Sequence, residues 1–402
     1  RLAAIGFQDP RGALRHIAAL TGGVSRRAAI QRTLLPVMLQ WFAEGADPDY
    51  GLLAFRRLSD EIGEAYWFLR MLRDSSGAAR RLTKVLASSR YVGGLFERIP
   101  EAAAWLENDG ELRPRPLAVL LDETTATLAR HGDDVEAAAK ALRIARRREI
   151  LRVALGSIVG VIPVQDVGSA LSSINTTVLT GALRLAHRWG DEVEFAIIAM
   201  GRYGGAELGF GSDADIMYVY NPAGCEPEVA QKRAEQIVHE IKRLTEDLRL
   251  PLELDLGLRP EGKNGPLVRS LASYRAYYQR WSLMWEAQAL LRARGVVGDE
   301  PLLAAFADMA DEIRFPAELP ADASREVKRI KARVENERLP QGADPSRHLK
   351  LGRGSLSDVE WLVQLIQLEH GHAIAGLRTT STLDALNAAV EAELIGQSDA
   401  DR

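Results

Sequence analysis

The chain has 402 residues, 47% of them hydrophobic, which is enough for two or three domains that each bury a core. A net charge of -4 and a pI near 6.1 argue against a surface built to carry a nucleic-acid backbone, which asks for a basic face. The single cysteine, Cys225, excludes an intramolecular disulfide, and no apolar run approaches the roughly 20 residues that span a bilayer. The composition therefore suggests a soluble, cytoplasmic protein that engages neither membrane nor nucleic acid.

From about Arg11 to Glu107 apolar residues recur at three-and-four spacing, as in Ile30, Leu34, Leu35, Val37, Met38 and Trp41, which predicts helix after helix. Gly22-Gly23, Asp47-Pro48 and Ser75-Ser76-Gly77 break the run. The polar, proline-bearing stretch Asn108 to Pro116 is the best candidate for a domain boundary, closing a helical domain over 1–112. Helical patterns resume through Arg143, Arg146, Arg147, Arg148 and Arg152, read as a solvated helix face or partner surface, and run to about Arg188. Phe195 to Met200 is too short and too β-branched for a typical buried helix and predicts a central strand. Ala214 to Tyr220 predicts a second strand, Glu226 to Leu248 a long amphipathic helix, and Leu252 to Leu258 a third strand with strict alternation. Cys225 falls in loop composition between them, where it is structurally incidental. Tyr274, Tyr277, Tyr278, Trp281 and Trp285 follow at helical spacing and read as core packing rather than a base-stacking platform. A mixed α/β domain thus covers 113–298. Over 299–402 the pattern is helical again, with a Gly-rich interruption from Leu351 to Ser355 before a helix from Leu356 to His370. Both termini fall in mid-pattern, as expected of a piece cut from a longer polypeptide, so the last domain is expected to be incomplete.

The chemistry concentrates in Gly201 to Tyr218. Side chains on a strand alternate faces, so Asp213 and Asp215 point the same way and repel unless a cation sits between them. A divalent metal is the usual answer, because hard cations prefer oxygen ligands. Gly204-Gly205 follows a predicted strand and lets the backbone approach an anion, with N–H groups available to phosphate oxygens, while Ser212 adds a hydroxyl at the same rim. The pattern is neither a Walker A loop nor a dinucleotide fingerprint. On the third predicted strand Glu253, Asp255 and Arg259 share the face opposite Leu252, Leu254, Leu256 and Leu258, so a third acid can join the pair. Alternation alone does not choose between Glu253 and Asp255. Three carboxylates on neighbouring strands are the minimum for a two-metal site.

Tyr203-Gly204-Gly205 followed by Ser212-Asp213-Ala214-Asp215 resembles the signature of the DNA polymerase β-type nucleotidyltransferases. The fuller string from Gly201 to Asp215, with Asp255 to Gly262 downstream, resembles the glutamine synthetase adenylyltransferase family, and the resemblance extends over nearly the whole chain. Segments from Ser25 to Pro36, Tyr274 to Trp281 and Lys350 to Trp361 look like further family blocks. The resemblance implies a mostly α protein with a central α+β nucleotidyltransferase domain of the DNA polymerase β-like kind, flanked by helical domains. It also implies transfer of AMP from ATP to a tyrosine of glutamine synthetase, with Mg2+ or Mn2+ as cofactor and a PII-type signalling protein as regulator. Carried over residue by residue, Asp213, Asp215 and Asp255 become the metal ligands, and Asp255 is favoured as the third acid and as the group that orients the tyrosine proton. Gly204, Gly205 and Ser212 become the triphosphate cradle, and Arg259, Lys263 and Lys350 become phosphate contacts. Asp358 also lies where it could face the nucleotide. Gly257 stands where members often carry an arginine, so that arginine's role does not transfer. Members contain two such units, one adding AMP and one removing it by phosphorolysis. A single motif preceded by linker-like helices implies the adding unit, with the removing unit as the alternative, and a non-catalytic scaffold or an RNA nucleotidyltransferase further off.

Overall fold

The computed structural model describes residues 1–187, 192–281 and 283–401, with the side chain of Trp281 outside that description. By its internal contacts the chain divides into two compact units, one formed by residues 1–120 and 141–174 and the other by 121–140 and 175–402.

The first unit is helical throughout. Helices span Pro10–Thr21, Arg26–Ala43, Pro48–Ile62, Tyr66–Asp74, Ser76–Ser88 and Arg90–Phe96. The breaks read from the sequence are caps. Asp9, Ser25, Asp47, Ser75 and Ser89 each accept a hydrogen bond from the backbone N–H three residues on, satisfying a donor that a helix start leaves unpaired. Leu35, Met38, Phe42, Leu52, Phe55, Phe68, Leu82 and Leu86 are fully buried and form the core.

The basic segment differs from the expectation. Glu149 is buried and draws in Arg152 at 2.9 Å, Arg148 at 3.0 Å and Arg115 at 3.4 Å, while the Arg152 guanidinium lies 4.5 Å from the centre of the Trp105 ring. Arg152 and, by its burial alone, Arg146 are interior residues, not a solvated face. A buried carboxylate needs compensating donors, and one at Glu149 pulls inward the charges that the linear pattern places outside.

The second unit is built on a five-stranded mixed sheet: β1 (Val193–Ala199), β2 (Ala214–Pro222), β3 (Leu254–Asp255), β4 (Val268–Ser270) and β5 (Arg294–Gly298). β1 lies between β2 and β5, antiparallel to both, and the far edge of β2 pairs in parallel with β3 and then β4. β1 is buried almost throughout, as its continuous apolar run requires. On one face Ala196, Ile198, Met217 and Val219 pack with Tyr274, Tyr278, Leu290, Phe306 and Met309, so Tyr274 and Tyr278 are core residues as the spacing suggests. The helix Pro227–Thr245 packs on β1, β2 and β4 through Ala230, Ala234, Ile237 and Ile241. It starts and stops short of the expected Glu226 to Leu248.

Two strands, β4 and β5, have no counterpart in the sequence reading, and the third predicted strand shrinks to Leu254–Asp255. The Gly257 N–H donates to Asp255 Oδ1 at 2.7 Å, and this side-chain turn bends the backbone out of the ladder one residue after pairing begins to matter. Further helices include Leu271–Trp281, Glu300–Arg314, Ala323–Glu337, Leu356–His370 and Thr382–Glu391, the fourth of them with the bounds read from the sequence. No helix among the described residues is long and apolar enough to cross a membrane.

Candidate functional site

The site forms where β1 ends and β2 and β3 begin. Met200 leaves β1 by donating its N–H to the Asp215 carbonyl at 2.8 Å, and Gly201–Gly204 then make a single helical turn. Gly201 sits in the left-handed region at φ +49, and a Cβ there would run into the Asp215 carboxylate, so glycine is required twice over. The loop returns through Ala206, also left-handed at φ +57, and delivers Asp213 and Asp215 to the start of β2.

Asp215 pairs in register with Asp255 across the parallel β2–β3 contact. Burial pushes the Asp215 carboxyl up to about 6, and the negative charges of Asp255 and then Asp213 add to the shift, while Lys350 and Arg202 oppose it. The three acids read from the sequence thus share one electrostatic neighbourhood, with Asp213 and Asp255 exposed and Asp215 half-buried. Glu253 is exposed, and its backbone carbonyl accepts the Ala214 N–H at 2.8 Å. Among the described residues, no group of three or more carboxylate, imidazole or thiol side chains is already drawn together tightly enough to hold a metal ion.

Several residues do something other than the expected. The N–H groups of Gly204 and Gly205 are not free: they donate to Met200 O at 2.8 Å and Gly201 O at 3.1 Å. Their smallness serves packing, because a Cβ on Gly204 would strike the Arg292 carbonyl and one on Gly205 would lie 2.5 Å from Arg292 Nη1. Ser212 Oγ accepts the Gly209 N–H at 3.0 Å, which tightens the loop and leaves the hydroxyl proton to donate.

Arg259 does not present itself to a phosphate. Its buried guanidinium donates to the carbonyls of Leu256 at 2.7 Å, Pro266 at 3.0 Å, Gly265 at 3.0 Å and Lys263 at 3.3 Å, tying the loop behind Asp255 into a compact turn. Lys263 is exposed in the short turn Gly262–Asn264. Lys350 is exposed and does act on Asp215. Asp358 is held by Lys331 and accepts the Gly354 N–H at 2.6 Å, which holds its carboxylate below the usual range despite partial burial.

Sequence reasoning missed the scaffold that holds the turn. Arg292, only 6% exposed, donates to Glu207 Oε2 and to the Thr380 carbonyl, both at 2.5 Å. Glu207 also accepts from the Thr382 N–H at 2.6 Å and its hydroxyl at 3.0 Å, at the start of the helix Thr382–Glu391. Arg294 donates to the carbonyls of Gly204 at 2.8 Å and Tyr203 at 3.1 Å, and the buried Tyr203 hydroxyl meets Thr176 Oγ1 at 2.8 Å. These partners lie 27, 85 and 175 positions away in sequence for Thr176, Arg292 and Thr382, so periodicity carries no sign of them.

A glycine turn after a buried strand, an acidic pair opening the next strand and a third acid in register beside it define a domain of the nucleotidyltransferase type within a mostly α chain. The chain belongs to the glutamate-ammonia ligase adenylyltransferase family, whose profile matches residues 79–309, and a GlnD PII-uridylyltransferase profile matches residues 327–402. Among curated proteins it is similar to the bifunctional glutamine synthetase adenylyltransferase/adenylyl-removing enzymes of Leifsonia xyli subsp. xyli (64% identity over 100% of the chain and 40% of the relative), Streptomyces coelicolor (51%, 99% and 42%) and Mycolicibacterium smegmatis (47%, 99% and 41%). The chain spans about two fifths of the length of these relatives.

Proposed function

We propose that the chain transfers AMP from ATP to a tyrosine of glutamine synthetase, releasing pyrophosphate. The observation that carries this reading is the register of Asp215 against Asp255, with Asp213 in the same field. Three mutually repelling carboxylates, one of them half-buried, are a poor arrangement for a bare protein and a fitting donor set for a hard divalent cation. Asp213, Asp215 and Asp255 would hold it. Bound there, Mg2+ or Mn2+ supplies charge neutralisation at the triphosphate and activation of the attacking oxygen.

The chain's own residues do the positioning. Asp255, exposed and fixed by the Gly257 N–H, would accept or orient the proton of an incoming tyrosine hydroxyl. Lys350 brings positive charge to the same rim, and Ser212 has a hydroxyl proton to donate. In-line attack on the α-phosphorus then depends on orientation and electrostatics more than on covalent chemistry. In this reading residues 1–112 serve as linker-like helices, 113–298 as the transferring domain and 299–402 as a helical bundle, and a PII-type protein is the regulator.

The removing unit would use the same acids with inorganic phosphate as the attacking group. Incubation with labelled ATP and unmodified glutamine synthetase is expected to label the target. If label moves only in the reverse arrangement, from modified glutamine synthetase to added phosphate, the direction assigned above is wrong.

A further inference from the structure

A nucleoside triphosphate brought beside three carboxylates needs cationic side chains to meet its oxygens, and guanidinium groups do this best because they donate two hydrogen bonds in one plane. Most nearby arginines are committed elsewhere. Arg259 is closed on backbone carbonyls, Arg292 on Glu207 and Thr380, and Arg294 on Gly204 and Tyr203. Lys331 is held by Asp358 and Glu335.

Arg202 is placed differently. It follows Gly201, where a Cβ would run into the Asp215 carboxylate, and its positive charge is among those acting on that acid. Its backbone is fixed, since its carbonyl accepts the Glu207 N–H at 2.8 Å and Glu207 is in turn held by Arg292 and Thr382. Its side chain is held loosely: 27% exposed, it meets Glu360 Oε1 at 3.6 Å, beyond hydrogen-bond reach, and Glu360 also faces Arg292 at 4.0 Å. A guanidinium on a rigid turn, with a weak partner and a half-open position, can change partners at little cost.

We propose that Arg202 is a phosphate-binding residue of this site, held by Glu360 until the nucleotide's phosphates take it over. The inference rests on the nucleotide-binding reading above. It makes the Glu360 carboxylate a competitor of the triphosphate, so the two substitutions act in opposite directions.

The test is calorimetric titration of the 402-residue chain with ATP and Mg2+, and with adenosine as a phosphate-free probe. Arg202→Gln should weaken ATP binding at least tenfold and leave adenosine binding unchanged, and Arg202→Lys should recover part of the loss. Glu360→Gln should tighten ATP binding several-fold, and the double variant should bind like Arg202→Gln alone. Equal ATP affinity in Arg202→Gln and the parent overturns the proposal, as does parallel weakening of ATP and adenosine, which marks a structural role. An ATP affinity that Glu360→Gln leaves unchanged or lowers also overturns it. Failure of the unaltered chain to bind ATP overturns the nucleotide-binding reading itself, and this inference with it.

Discussion

Asp215 concentrates the tension of the site in one side chain. A carboxyl whose folded pKa rises from 3.8 to about 6 holds its proton more tightly in the folded state, so the metal-free fold loses stability as pH climbs from about 4 to about 6. Above 6 that loss is complete. Asp215→Asn removes the charge and should raise the metal-free unfolding midpoint at pH 7 by about 3 °C, corresponding to about 1 kcal/mol, while lowering AMP transfer on the order of a hundredfold or more. Calorimetry in a chelator and a labelled-ATP assay read the two effects. A variant that is less stable and still active would contradict the role given to Asp215. Arg259 shows the opposite economy: its charge is used up by its own loop, and what it contributes to the site is the shape of the turn behind Asp255.

At the scale of elements, the strand–turn–strand that carries the acids was legible because its signals are local. An apolar run, a cluster of glycines and alternating aspartates fix β1, the turn and β2 within about 25 residues, Val193 to Tyr218. The helices of the first unit were legible for the same reason, since their three-and-four apolar spacing and the breaks at Asp47-Pro48 and Ser75-Ser76-Gly77 are local signals. β3 misled because the alternation from Leu252 to Leu258 is genuine, yet a side-chain turn at Asp255 ends the strand early. β4 and β5 are short, and they exist as strands only because β2 and β1 offer edges to them, which no local window reveals. Gly204 shows how closely these elements fit. A Cβ there would strike the Arg292 backbone carbonyl just before β5, so Gly204→Ala forces backbone apart rather than a flexible side chain. We expect a loss of about 2 to 3 kcal/mol in stability, measured by denaturant unfolding, together with weakened nucleotide binding as Arg202 shifts with its turn. Stability within about 0.5 kcal/mol of the parent would show that the turn yields more easily than this packing implies.

Across the whole molecule, the acids belong to the second unit, and so do the groups that hold them. Glu207 and Arg292 join the motif turn to the start of the helix Thr382–Glu391, and the Gly-rich interruption near Lys350 contributes charge to Asp215. Residues separated by more than 170 positions therefore act as one constellation, while the first unit has its own capped helices and its own buried core. A ligand that binds only the folded site suppresses those local openings that dismantle it and leaves the others unchanged. Hydrogen exchange with ATP and Mg2+ should therefore slow at residues 200–215, 254–266 and 350–358, and at the first turn of the helix Thr382–Glu391, which Glu207 caps. Amides of residues 10–96 should exchange at the same rate with and without nucleotide. Slower exchange with nucleotide in that segment would mean that nucleotide binding is coupled to the helices of the first unit, and the site could no longer be described by the second unit alone. Glu207→Gln tests the coupling inside the second unit: it keeps the shape of the side chain but removes the charge that Arg292 and the Thr382 N–H share. Protection at 382–385 should then disappear while protection at 254–266 persists.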